Sequence, residues 1–173
     1  MAVKYIHHLI DSGVKSLKIE GRMKSLYYIA CVVRCYRKII DDYLMNKDQK
    51  FDFYEKEIQK AENRLTSTGF LNGMVTKEEQ LYNVRAEMPT KDFLGIVMSY
   101  NKETNECVIE QRNYFTPGDK LEFFGPDLEN TTLVVGEILD MEGNVLDAAR
   151  HPLQLLKIKV PFVVSKFDMV RKA

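Results

Sequence analysis

The run Phe93-Leu94-Gly95-Ile96-Val97-Met98-Ser99-Tyr100, the polar stretch Asn101-Lys102-Glu103-Thr104 and the run Glu106-Cys107-Val108-Ile109-Glu110-Gln111-Arg112 decide how the second half of this chain folds. Both apolar runs are short and rich in β-branched and aromatic residues, and a turn separates them, so each reads as a strand. The rhythm continues through Lys120 to Phe124, Thr131 to Leu139, Leu153 to Val160 and Met169 to Arg171. Thr116-Pro117-Gly118-Asp119, Gly125-Pro126-Asp127 and Glu142-Gly143-Asn144 supply the intervening turns. Six short strands of this kind predict a small, closed all-β barrel over residues 88–173.

Upstream the spacing changes. From Tyr5 to Gly69 there is no proline, and apolar residues recur mostly at helical intervals. Val3 to Ile10 forms a short amphipathic piece that Asp11-Ser12-Gly13 stops. Val14, Leu17 and Ile19 then fit a brief strand, Val14 to Ile19. Ser25 is a good N-cap for a long helix whose apolar stripe runs through Leu26, Ile29, Ala30, Val33, Ile40 and Leu44. A further helix spans Tyr54 to Leu65, with Thr66-Ser67-Thr68-Gly69 ending it. A single parallel strand needs sheet neighbours and covering helices, and this stretch offers no other strand. The expected architecture is therefore α+β. Residues 1–87 carry the last strand-helix unit of an α/β, TIM-like barrel together with a connecting helix; Met88-Pro89-Thr90 reads as the linker to the β-barrel of residues 88–173.

The 173 residues include 25 Lys+Arg and 25 Asp+Glu, so the chain as a whole lacks the positive field of a dedicated nucleic-acid-binding domain. No apolar run approaches the ~18 residues of a membrane span, and the N-terminus lacks a signal-peptide plan; both favour the cytoplasm and argue against a membrane partner. Cys31, Cys35 and Cys107 are too few for a disulfide framework and read as reduced thiols.

One stretch carries a sharper signal. Leu17-Lys18-Ile19-Glu20-Gly21-Arg22-Met23-Lys24-Ser25, with Tyr27-Tyr28, Val33 and Tyr36-Arg37 after it, resembles the signature near the end of the catalytic domain of peptidase family U32. Gly69-Phe70, Glu110-Gln111-Arg112-Asn113, Phe115 with Gly118-Asp119, Phe124-Gly125-Pro126, His151-Pro152 and Asp168-Met169-Val170-Arg171-Lys172 extend the resemblance over nearly the whole chain. It implies one of two chemistries: the collagenase-like peptidase activity ascribed to many members, or the prephenate-dependent hydroxylation of tRNA uridines performed by relatives that carry an iron–sulfur cluster. The cluster's cysteines in those relatives lie upstream of the matched segment, so the resemblance assigns no ligand here. Any cluster or metal belongs to the missing upstream part of the parent.

In α/β barrels the chemistry gathers at the C-terminal ends of strands, where Glu20 and Arg22 fall. Arg22 can clamp a carboxylate or phosphate, with Lys24 and the helix-opening amides near Ser25 favouring an anion, while Glu20 orients the guanidinium or acts as a base. Glu20 and Arg22 are thus the candidate catalytic pair, and Arg22, Lys24 and Ser25 the candidate anion site. The plainer alternative is that Glu20 and Arg22 pair to brace the turn, with Gly21 supplying an unusual backbone angle. Cys31 and Cys35 share a helix face but have no second ligand pair, and His7 and His8 diverge on a short helix, so no metal site is assigned.

Two function classes follow. In the first, the chain is the C-terminal portion of an enzyme of this family, inactive alone, and its β-barrel positions a macromolecular substrate, either collagen-like protein or tRNA, for the missing N-terminal catalytic domain. In the second, it is a binding module. Arg112, Lys120, Lys157, Lys159, Arg171 and Lys172, with Tyr114, Phe115 and Phe124, would then form an RNA-binding face, against the blander reading of scattered surface charge over core aromatics. The apolar stripe on the long helix, deprived of its sheet, is expected to seek the β domain or a second copy of the chain.

Overall fold

The structure is a computed structural model and describes residues 1–61, 66–77 and 92–173. It is α+β, and the chain divides into two compact units, Met1–Thr90 and Lys91–Ala173. The predicted linker Met88-Pro89-Thr90 lies outside the described residues. No described helix is long and apolar enough to cross a membrane.

The first unit begins with a 3-10 turn, Val3–Tyr5, and α1, Ile6–Asp11. The long helix α2 spans Leu26–Leu44 and starts where the sequence places it: the Tyr28 N–H donates to the Ser25 hydroxyl at 3.2 Å, supplying one amide of the first turn with an acceptor. Helix α3, Phe51–Gln59, begins three residues before the expected start, and residues 62–65 of its predicted end lie outside the described residues. Val3, Ile6, Val32, Cys35, Ile39, Tyr54 and Ile58 form the core of this unit.

Two expectations fail in the first unit. Val14 to Ile19 is not a strand; it runs as exposed chain with no ladder partner among the described residues. A strand exists only when another strand takes its N–H and C=O groups, and the β-rich half pairs with itself instead. The buried face of α2 also differs from the predicted one. Tyr27, Cys31, Val32, Arg34, Cys35 and Ile39 turn inward, whereas Leu26 and Val33 of the predicted stripe are 56% and 47% exposed. Helix α2 carries apolar residues on more than one face, and α1, α3 and the N-terminal turn select which of them is covered.

The second unit is one antiparallel sheet built from β1 (Phe93–Asn101), β2 (Glu106–Gln111), β3 (Lys120–Phe124), β4 (Thr131–Val134), β5 (Ile138–Leu139), β6 (Val145–Leu146), β7 (Leu155–Lys159) and β8 (Met169–Lys172). In β2 the alternation is strict, with Cys107, Ile109 and Gln111 inward. The spatial order is β4-β3-β8-β1-β2-β7-β5-β6. The predicted single strand Thr131 to Leu139 is therefore two strands, β4 at one edge and β5 beside the other, joined through Val135, Gly136 and Glu137. Four residue steps span at most about 14 Å, so the sheet must curl until its edges approach. The ladder is nonetheless open between β4 and β6, which corrects the expected closed barrel. Edge strands of four and two residues offer too few backbone groups in register to seal the seam.

Candidate functional site

An open cleft of ≈ 440 Å³ runs between the unpaired segment and α2, lined by Leu17, Ile19, Glu20, Val33, Tyr36 and Arg37 among others. Its walls are mainly apolar, and two of its charged groups, Glu20 and Arg37, are already engaged. Arg37 Nε donates to Asp41 Oδ2 at 2.9 Å, and a second Arg37 nitrogen pairs with Oδ1, one helical turn along α2. Glu20 Oε1 accepts the Arg22 backbone N–H at 3.0 Å.

That last bond settles how Glu20 and Arg22 meet. The carboxylate braces the turn through the main chain and leaves the guanidinium exposed, with no ion pair to Arg22 among the described residues. The turn is closed by the Lys24 N–H donating to the Gly21 carbonyl at 2.9 Å. Gly21 does not occupy the left-handed region, contrary to expectation; its missing side chain makes room, since a Cβ would lie 3.2 Å from Ile29 Cγ1. Lys24 Nζ sits 4.8 Å above the Tyr28 ring, and Ser25 caps α2. The four candidates Glu20, Arg22, Lys24 and Ser25 thus occupy one short exposed turn, of which only Glu20 lines the cleft.

The thiols and imidazoles are placed as structure rather than chemistry. Cys31, Cys35 and Cys107 are all buried. Burial, with the Asp168 carboxylate second, pushes the Cys107 thiol up to about 12. The His7 and His8 rings do not diverge, as the sequence implied, but lie 3.9 Å apart by centroid, with Phe51 5.4 Å from His7. Among the described residues no group of three or more His, Cys, Asp or Glu side chains is placed to hold a metal, and this donor set does not fit an iron–sulfur cluster.

On the β unit, most of the residues weighed for an RNA-binding face are buried or engaged with the protein itself, as the blander reading expects. Arg171 is fully buried: it stands opposite Glu122 across β8 and β3, its Nε donates to Glu122 Oε2 at 2.5 Å, and its guanidinium lies 4.4 Å from the Phe124 ring centre. Phe115 and Phe124 are core residues. Lys157 and Lys159 tie down the backbone, donating to the carbonyls of Met141 and Thr104, each at 2.9 Å. Tyr114, by contrast, is exposed. Gln111 and Arg150, which sequence reasoning passed over as site residues, organise the surface beside it; a lone Gln in a strand carries no signal until its partners are known.

Comparison with known proteins adds identity to this geometry. Residues 1–81 match the description peptidase family U32, and residues 89–171 match the peptidase family U32 C-terminal domain. The tRNA hydroxylation protein P1 of Bacillus subtilis is 44% identical over 172 residues, covering 98% of this chain and 41% of that protein. An uncharacterized protease of Methanocaldococcus jannaschii is 30% identical over 128 residues, covering 72% of the chain and 30% of that protein. The crystal structure of a Geobacillus thermoleovorans U32 C-terminal domain is 50% identical, with a TM-score of 0.47, covering 47% of this chain and 92% of that one. The chain spans about two fifths of the B. subtilis relative and less of the archaeal one. With both halves matched in order, and with the Leu17–Ser25 signature in place, the chain belongs to peptidase family U32.

Proposed function

We propose that this chain is the C-terminal portion of a tRNA hydroxylation protein, in which the β unit helps to hold the tRNA while the upstream part of the parent performs the chemistry. The single observation that carries this reading is the 44% identity to a protein of that name along 98% of the chain, helical and β halves alike. Within it, Val14 to Ile19 and α2 act as the last strand-helix unit of an α/β barrel. The exposed apolar side chains of Val14, Leu17, Ile19, Leu26, Ile29 and Val33 suit that role, because a barrel strand and its covering helix bury such residues against their neighbours. Arg22 and Lys24 face the mouth of that barrel and hold a substrate anion, Ser25 caps the helix beneath them, and Glu20 keeps the turn in shape. The working compartment is the cytoplasm, where tRNA is found.

A second reading, hydrolysis of protein with collagen-like protein as the substrate, takes its peptidase part from the family's description and the archaeal relative's name. One experiment separates the two. In the parent protein, Arg22→Ala should lower tRNA hydroxylation at least about tenfold, equivalent to about 1.4 kcal/mol of transition-state stabilisation, as read by nucleoside mass spectrometry. Normal hydroxylation in a strain lacking the parent, with gelatin cleavage lost, would favour the peptidase. The chain of 173 residues by itself should do neither reaction.

A further inference from the structure

At the end of β2 one buried residue reaches three separate segments. Gln111 is 1% exposed. Its Nε2 donates to the Asn113 carbonyl at 2.8 Å and to the Ala149 carbonyl at 3.1 Å. Its backbone N–H donates to the Gln154 carbonyl at 2.9 Å, and its own carbonyl accepts the Leu153 N–H at 2.8 Å. Among the exposed side chains of the tied segments are Tyr114, Arg150 and Leu153.

The three are placed by backbone geometry. Phe115 and Ala149 form an isolated antiparallel bridge and are both buried, so the flanking Tyr114 and Arg150 oppose each other on the solvent side. The Arg150 guanidinium carbon lies 5.6 Å from the Tyr114 ring centre. Its ion-pair partner Asp147 has a side chain 79% exposed, a water-screened contact that a phosphate can replace. Leu153 follows Pro152 in a turn closed by the Gln154 N–H donating to the His151 carbonyl, and it holds φ 67 at a position suited to glycine or asparagine. A branched apolar side chain kept at a strained backbone and 59% exposed adds nothing to the core. Beside Gln111, Arg112 Nε and Gln154 Oε1 are a donor and an acceptor with no hydrogen-bond partner among the described residues.

We propose that Tyr114, Arg150 and Leu153, braced by Gln111, form a platform for an unpaired RNA nucleobase. The base stacks on the Tyr114 ring, Leu153 borders it, and Arg150 meets the adjoining phosphate. Nucleic-acid loops expose unstacked bases that aromatic rings and guanidinium planes accept, and an aromatic ring paired with a cation in one surface patch supplies both. The proposal rests on the tRNA reading above and narrows it to one site; Gln111 is a positioning residue.

The test uses the full 173-residue chain and a single-stranded RNA of about ten nucleotides containing 2-aminopurine, read by anisotropy and by quenching of that base. Tyr114→Ala and Arg150→Ala should each weaken binding at least about fivefold, and Tyr114→Ala should abolish the quenching, whereas Tyr114→Phe keeps both. Leu153→Asn should raise the melting temperature while weakening binding. Affinity within about twofold of the unaltered chain in both alanine variants overturns the platform, as does a Tyr114→Ala variant that binds RNA normally but no longer binds a protein fragment of the parent. If tRNA hydroxylation by the parent still depends on residues 91–173 in that case, the tRNA reading stands; if the chain binds no RNA and the parent works without those residues, both fall.

Discussion

The two units bury their apolar residues to different degrees. Among the described residues, the β unit gathers fifteen buried side chains into one cluster, while the helical unit gathers seven and leaves Leu26, Ile29 and Val33 of α2, with Val14, Leu17 and Ile19 before it, exposed. In β2 the two-residue period assigns each side chain to inside or outside, and the curl of the sheet provides the inside. A helix with apolar residues on two faces needs a partner for each, and among the described residues of the helical unit one face of α2 is covered while Leu26 and Val33 stay exposed. Among the described residues, the β unit thus has a core of its own, whereas the helical unit leaves an apolar surface exposed.

The largest test of this contrast is to separate the halves. Lys91–Ala173 expressed alone should show a cooperative thermal transition by circular dichroism, whereas Met1–Thr90 alone should melt gradually and bind a hydrophobic dye. The reverse result would break the comparison. Within the β unit, Glu122→Ala removes a carboxylate from the buried Arg171 guanidinium and should cost about 3–5 kcal/mol in denaturant unfolding. In the helical unit, Ile39→Ala on the covered face of α2 should cost about 2–5 kcal/mol, against less than about 0.5 kcal/mol for Val33→Ser on the open face. Equal costs would mean that the open face is covered in solution, for example by a second copy of the chain.

Smaller effects sharpen the picture further. Phe167 holds φ 75 and is 62% exposed, in a turn where the Ser165 N–H donates to the buried Asp168 carboxylate at 2.8 Å. Phe167→Asn should therefore stabilise the β unit by about 0.5–1 kcal/mol, read as a higher melting temperature. Cys107 contributes through pH. Its folded thiol stays protonated up to about 12, while the unfolded thiol ionises near 9. Between those values the folded state binds more protons, so this contribution is intact below about pH 9 and declines as pH rises through the window. From pH 8 to 10 the chain should lose about 1 kcal/mol more than Cys107→Val does, and alkylation of Cys107 at pH 8 should require unfolding.

What the sequence determined by itself is everything that local chemistry decides. The start of α2 was legible because Ser25 caps its own helix, and β3 was legible end to end because Lys120 to Phe124 is a short strand bounded by Gly118-Asp119 and Gly125-Pro126. The Leu17–Ser25 signature was legible because it is contiguous. The tertiary structure alone decided relations between distant residues. Val14 to Ile19 has strand composition but no ladder partner among the described residues, and β6 is a strand only because β5 lies beside it. Arg171 was counted among surface cations because its type is usually exposed, yet Glu122, 49 residues away, makes its burial affordable. Gln111 acquires meaning only through Asn113, Ala149, Leu153 and Gln154. Caps, turns and periodicity are free-energy preferences of neighbouring residues and can be read along the chain, whereas burial and pairing are set by whichever surface arrives from elsewhere.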